Sequence, residues 1–138
     1  MKRLLSLTLA LLMICSMCIF TVSCGETNEK MLYTEDTTLG TGAKTITFNV
    51  EHKDGTKIKF TIKTDKSLLS DALLEHSLIE GENDEFGIYV KKVNGITQDY
   101  DIDKSYWALY IDGEYALTGA YSTEITDGGE YTFKASYL

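Results

Sequence analysis

The sequence predicts an α+β domain, a mixed sheet with one helix packed on it. Three observations predict it. Two stretches around residue 50 alternate apolar and polar residues strictly, and a turn signal separates them. One segment, Leu68 to Ile79, repeats its apolar residues at helical spacing. Beyond it, alternation resumes and continues to the C-terminus.

The elements follow in order. In Thr45 to Glu51, the residues Ile46, Phe48 and Val50 share one face. Asp54-Gly55 is a hairpin signal, because both residues tolerate the backbone of a tight turn. Lys57 to Lys63 returns with Ile58, Phe60 and Ile62 inside and lysines outside. Ser67 is read as the helix N-cap, Asp71 complements the first turn, and Gly81 is read as the stop. Strands are predicted over Gly87 to Val93, over Tyr106 to Ile111, and over Glu130 to Tyr137. Asn94-Gly95 and Asp112-Gly113 supply the tight turns between them. A hairpin, a helix and then several strands give a β-grasp-like mixed sheet with one packed helix. Phe48, Phe60, Leu73 and Trp107 are its expected shared core.

The first 23 residues read as an export signal rather than as fold. Met1-Lys2-Arg3 is a charged start, Leu4 to Val22 is apolar, and Ser23-Cys24-Gly25 closes it. Val22-Ser23-Cys24 has the form of a bacterial lipobox, in which Cys24 is lipidated and becomes the new N-terminus. Cys15 and Cys18 fall within the discarded segment, so no disulfide is expected in the exported chain. Residues 24–44 are polar and weakly periodic, and read as a flexible tether. The domain itself is placed at 45–138. The expected location is extracytoplasmic, a cell-membrane lipoprotein of a bacterium.

Composition narrows the function. The formal net charge is −8, and the signal holds Lys2 and Arg3 with no acid, so the exported part stands at −10. Arg3 is the only arginine. A strongly acidic domain without guanidinium groups is unsuited to nucleic acid, whose binding rests on neutralised phosphates. It would approach an anionic membrane only through a covalent anchor. There is no proline, which excludes a polyproline stalk.

Candidate chemistry is sparse. Asp99, Asp101 and Asp103 have the odd-position acids of a calcium loop, but Lys104 and Tyr110 stand where an EF-hand needs Gly and Glu. The acidic run of Glu80, Glu82, Asp84 and Glu85 reads as a solvated loop. His52 and His76 have no cysteine beside them, so no metal site is expected. No nucleotide fingerprint and no nucleophile–base pair is present, so the chain is not expected to be an enzyme. Tyrosine is abundant, at nine residues. On one strand Tyr106 and Tyr110 face away from Trp107, and such stiff amphipathic side chains suit recognition.

From Ser67 onward these landmarks resemble a known family. Ser67-Leu68-Leu69-Ser70-Asp71-Ala72-Leu73 resembles its helix start. Phe86-Gly87-Ile88-Tyr89-Val90 and Val93-Asn94-Gly95-Ile96 resemble a strand and turn. Tyr106-Trp107, leading to Asp112-Gly113-Glu114, resembles its most specific motif, with Thr118-Gly119-Ala120 and Asp127-Gly128 following. The family is the transcobalamin-like C-terminal domain, the small domain that closes over cobalamin in transcobalamin and intrinsic factor. It also occurs in bacterial surface lipoproteins. The resemblance covers about residues 44–138. It implies a binding module that captures cobalamin or another corrinoid for import, with no cofactor required for its own fold. It implies Tyr106, Trp107, Tyr110, Tyr115 and Tyr121 as ligand contacts, and a membrane transporter or second binding domain as partner. A cell-surface protein-interaction or adhesion module without a small ligand is the alternative, and the residues leave both open.

Overall fold

The structure, a computed structural model, describes residues 29–138. The expected signal and Cys24 lie outside the described residues. Six strands form one sheet. They are β1 (Thr37–Gly40), β2 (Lys44–Glu51), β3 (Lys57–Thr64), β7 (Ser105–Ile111), β8 (Glu114–Tyr115) and β9 (Glu130–Tyr137). Their order is β1-β3-β2-β9-β7-β8. Strands β4 (Ile79–Asp84), β5 (Gly87–Val93) and β6 (Ile96–Thr97) form a second sheet. The helix α1 (Leu69–Glu75) precedes them, and a short α2 (Tyr100–Asp103) leads into β7.

The α+β reading holds. Strand β2 pairs antiparallel with β3 and parallel with β9, so the first predicted hairpin lies beside the last strand. This mixed pairing places Phe48 beside Phe60 on one side and Tyr131 on the other. The alternating residues then share one buried face, where Ile46, Phe48, Val50, Phe60, Ile62, Tyr131 and Phe133 meet α1 through Leu69, Ala72 and Leu73. Phe48 stacks on Phe60 at 5.8 Å and meets Phe133 edge-on at 6.0 Å. The expected core of Phe48, Phe60, Leu73 and Trp107 is one cluster.

The helix is shorter than its periodicity predicts. It begins after Leu68, not at a Ser67 cap, and Leu68 makes no side-chain cap bond. Tertiary pairing takes the cap's place: the Leu69 amide donates to the Thr123 carbonyl, and the Ile125 amide donates to the Ser67 carbonyl. At the other end, the amides of Ser77 and Leu78 donate back to Leu74 and Leu73. Ser77 holds φ at 55°, which completes a Schellman stop several residues before Gly81. Leu78 and Ile79 are buried and still look helical in sequence, but Ile79 already belongs to β4. Gly81 marks instead the irregularity where β4 crosses β5, and a Cβ there would strike the Tyr89 carbonyl.

The segment read as a tether also changes. From Glu29 onward it packs on the domain, and β1 adds a parallel edge to β3. Asn94, fully buried, is the reason. Its side chain accepts from the Tyr33 amide at 2.9 Å and donates to the Tyr33 carbonyl at 2.9 Å. The Asp36 carboxylate accepts from the Lys59 amide at 2.8 Å. Among the described residues, no helix is long and apolar enough to cross a membrane.

Candidate functional site

Between the Gly87–Val90 half of β5 and the Tyr106–Leu109 half of β7 lies a groove of about 240 Å³. The loop from Ala116 to Ala120 closes its end. Strand β8 pairs only with Tyr110 and Ile111, so it leaves the first half of β7 uncovered on that side. The Asp112-Gly113 turn makes this possible. Both residues adopt positive φ, 50° and 85°, so the chain reverses in two residues. The Asp112 carboxylate then accepts from the Glu130 amide at 3.0 Å and fixes the turn to β9.

Aromatic side chains rim this groove. Tyr110 and Tyr115 face each other across β7 and β8, edge to face at 5.6 Å. Tyr106 belongs to the same group. Partial burial and a hydrogen bond with Tyr115 hold its phenol above the usual tyrosine range. Tyr115 is 52% exposed. Tyr121 stands on the single 3₁₀ turn Ala120–Ser122 and lies against Gly87, whose φ is +104°. A Cβ at Gly87 would run into the Tyr121 ring, so this glycine is what lets the ring lie flat on β5.

Three of the five expected contacts, Tyr106, Trp107 and Tyr115, line this groove, while Tyr110 lies beside Tyr115 and Tyr121 lies against Gly87. Trp107 is the least exposed of the three. It is 6% exposed on the opposite face of β7, and its indole N–H donates to the Ile96 carbonyl at 3.2 Å. Its side chain is core, as strict alternation requires of a neighbour of Tyr106.

Sequence reasoning missed two groove residues, Tyr89 and Leu117, and the exposed Phe86 at the tip of the β4–β5 hairpin. Phe86 and Leu117 are 78% and 95% exposed, and Tyr89 lines the groove on β5. Their signal was available: Phe86 precedes a glycine at the tip of the β4–β5 hairpin, and Leu117 interrupts a polar loop. Exposed apolar residues gathered at one rim mark an interaction site more often than scattered ones do.

The acidic motifs serve structure. Asp99 caps α2 by accepting from the Asp101 amide at 3.0 Å. Glu82 pairs with Lys91 at 3.0 Å across the β4–β5 hairpin, so Glu80, Glu82 and Asp84 lie on a strand and only Glu85 falls in the turn. Among the described residues, no three His, Cys, Asp or Glu side chains converge to hold a metal.

The fold and this rim define a class. A family of domains of unknown function, DUF4430, matches residues 65–136, and the chain belongs to it. A candidate metal-binding protein of Ruminococcus gnavus is similar over 70% of this chain and 99% of its own, at 30% identity and a TM-score of 0.66. Haptocorrin in complex with Cbi is similar over 72% of this chain, at 20% identity and a TM-score of 0.53. The chain spans 27% of haptocorrin's length, and that likeness is one of fold. The resemblance to transcobalamin-like domains therefore holds at the level of fold. No curated protein matches the sequence.

Proposed function

We propose that the protein is a lipid-anchored extracytoplasmic binding module, not an enzyme, that captures cobalamin or another corrinoid for a membrane importer. The observation that carries this reading is the groove between β5 and β7 with Tyr89, Tyr106, Tyr115 and Tyr121 about it, on a fold shared with a protein solved in complex with the corrinoid Cbi. A flat macrocycle offers an apolar face and polar amide rims, and tyrosines match both. The chain spans only about a quarter of haptocorrin. One small domain covers one face of such a ligand and leaves the other to a partner. Affinity alone is therefore expected to be micromolar or poorer, near −8 kcal/mol at best.

The test is a titration of the protein with cobalamin and with cobinamide, following the corrinoid absorption bands. A saturable shift, lost in Tyr115→Ala, supports the reading. No shift at millimolar ligand ends it. Anchoring is tested separately: Cys24→Ala should leave the protein unprocessed or release it from membranes.

Phe86 and Leu117 favour a second reading, a protein-interaction or adhesion module. Their near-complete exposure suits a protein partner as well as a macrocycle. In that case Leu117→Asp would abolish partner binding while corrinoids have no effect.

A further inference from the structure

The N-terminal segment joins the domain at one pole. The Glu29 carboxylate accepts from the Thr97 amide at 2.7 Å. Only residues 25–28 separate Cys24 from Glu29, so that stretch of chain reaches about 17 Å at full extension. With Cys24 held in a bilayer, whatever lies beside Glu29 lies at the membrane surface. The Asp112-Gly113 turn is the length of β7 from this pole, about 20 Å.

The side chains beside Glu29 are apolar and aromatic as well as charged. Ile102 shares with Glu29 the wall of a cavity of about 280 Å³, and it is 83% exposed. It stands on α2, which Asp99 caps and which Lys104 ends with φ at 61°, so a fixed turn holds it outward. Tyr137 pairs with Ser105 at the start of β7 and is 56% exposed, and Tyr100 on α2 is 37% exposed. The Lys53 ammonium lies 4.6 Å from the centre of the Tyr137 ring, and that of Lys104 lies 4.5 Å from the centre of the Tyr100 ring. Lys53 also pairs with Asp103, and the Leu138 amide donates to the Lys104 carbonyl at 3.2 Å. The end of β9 and α2 are thus one surface.

This combination suits the boundary between water and lipid. Tyrosines favour the headgroup level, and a lysine lays its apolar stem along a surface while its ammonium stays wet. Glu29, Asp99, Asp101 and Asp103 outnumber Lys30, Lys53 and Lys104 here, so attraction to anionic lipid does not hold the pole down. The contact is apolar and aromatic.

We propose that this pole is the seat of the domain on the bilayer. Ile102 enters the edge of the hydrocarbon, Tyr100 and Tyr137 lie at headgroup level, and Lys53 and Lys104 keep their ammonium groups in the polar layer. The inference rests on the anchored reading, because so small a contact needs a second attachment to persist. It turns the Phe86 and Leu117 end of the molecule away from the membrane, toward a partner arriving from outside.

Tryptophan quenching by brominated phosphatidylcholine reads the seat. The full chain is expressed, and the membrane-retained protein is reconstituted into vesicles of that lipid. Wild type supplies the background, since Trp107 is its only tryptophan and is 6% exposed. The indole of Ile102→Trp should lose at least about half of its emission to the brominated lipid, and that of Leu117→Trp almost none. Both positions are nearly fully exposed, so neither change disturbs the core. Adding Tyr137→Asp to Ile102→Trp should relieve at least about half of the quenching, which nearness on a short tether alone would not explain. The proposal is overturned if both indoles are quenched alike, if the Ile102→Trp indole is not quenched, or if Tyr137→Asp changes nothing. Shielding of that indole from iodide that grows with protein concentration, without vesicles, would assign the pole to a second copy and overturn it as well. Wild type that washes off membranes refutes the anchor and the seat together. Retained protein whose Ile102→Trp emission ignores the brominated lipid refutes the seat alone.

Discussion

Strand β7 places two kinds of aromatic residue one position apart. Trp107 faces the core, where it is packed and hydrogen-bonded within the protein. Tyr106 and Tyr110 face the other way, beside Tyr115. The residues are similar in size and β propensity, and pleat parity alone decides their work. One face should therefore carry stability and the other recognition. Substitutions on the two faces should have opposite signatures.

The largest effect is expected on the core face. Trp107→Ala should cost about 3–5 kcal/mol in chemical denaturation, because it empties a large core site and strips the Ile96 carbonyl of its donor. A loss below about 1 kcal/mol would break the comparison, since the indole would then belong to the recognition side.

Asn94→Ala comes next. It would leave the Tyr33 amide and carbonyl without their partner and free the segment that ends in β1. A cost of about 1–3 kcal/mol is expected. Faster hydrogen exchange should appear in residues 29–40 before it appears in β2. Uniform exchange across both would mean that the N-terminal segment and the core unfold as one unit.

These two sites also mark what the sequence made legible. Strands β2, β3, β7 and β9 have one buried and one wet face, so their alternation is visible and their bounds fall within a residue or two. Strand β1 has Leu39 as its one half-buried large side chain, and the bonds that hold it down come from residues far along the chain. No local pattern encodes that. In β4 only Ile79 is buried, and the acidic residues that follow read as loop until Lys91 and Lys92 are seen opposite. Tyr106 and Tyr110 were legible by parity, whereas Tyr115 and Tyr121 came only with the family resemblance.

On the recognition face the balance reverses. Tyr115→Ala and Tyr121→Ala remove side chains that are about half exposed, so stability should change by less than about 1 kcal/mol. Corrinoid absorption shifts should nonetheless weaken severalfold. A variant that unfolds the domain would show that the rim also serves as structure, and the division between faces would fail.

The smallest effect concerns the start of β7, where Lys53 reaches Asp103 at 2.9 Å and the Ser105 amide donates to the same carboxylate at 3.0 Å. These bonds, the one from Lys53 first, lower the Asp103 pKa to about 2. A depressed carboxylate pKa adds stability above its unfolded value, near 4, and loses it as pH falls toward 2. The pair is solvent-exposed, so the effect is modest and screened by salt. Denaturation midpoints of wild type should fall more steeply between pH 4 and 2 than those of Asp103→Asn, and the two slopes should converge in high salt. The clasp is not part of the groove, so Asp103→Asn should leave corrinoid absorption shifts at pH 7 unchanged. If it weakened them as Tyr115→Ala does, entry into β7 would control the rim, and recognition would depend on where the strand begins as well as on which way its residues face.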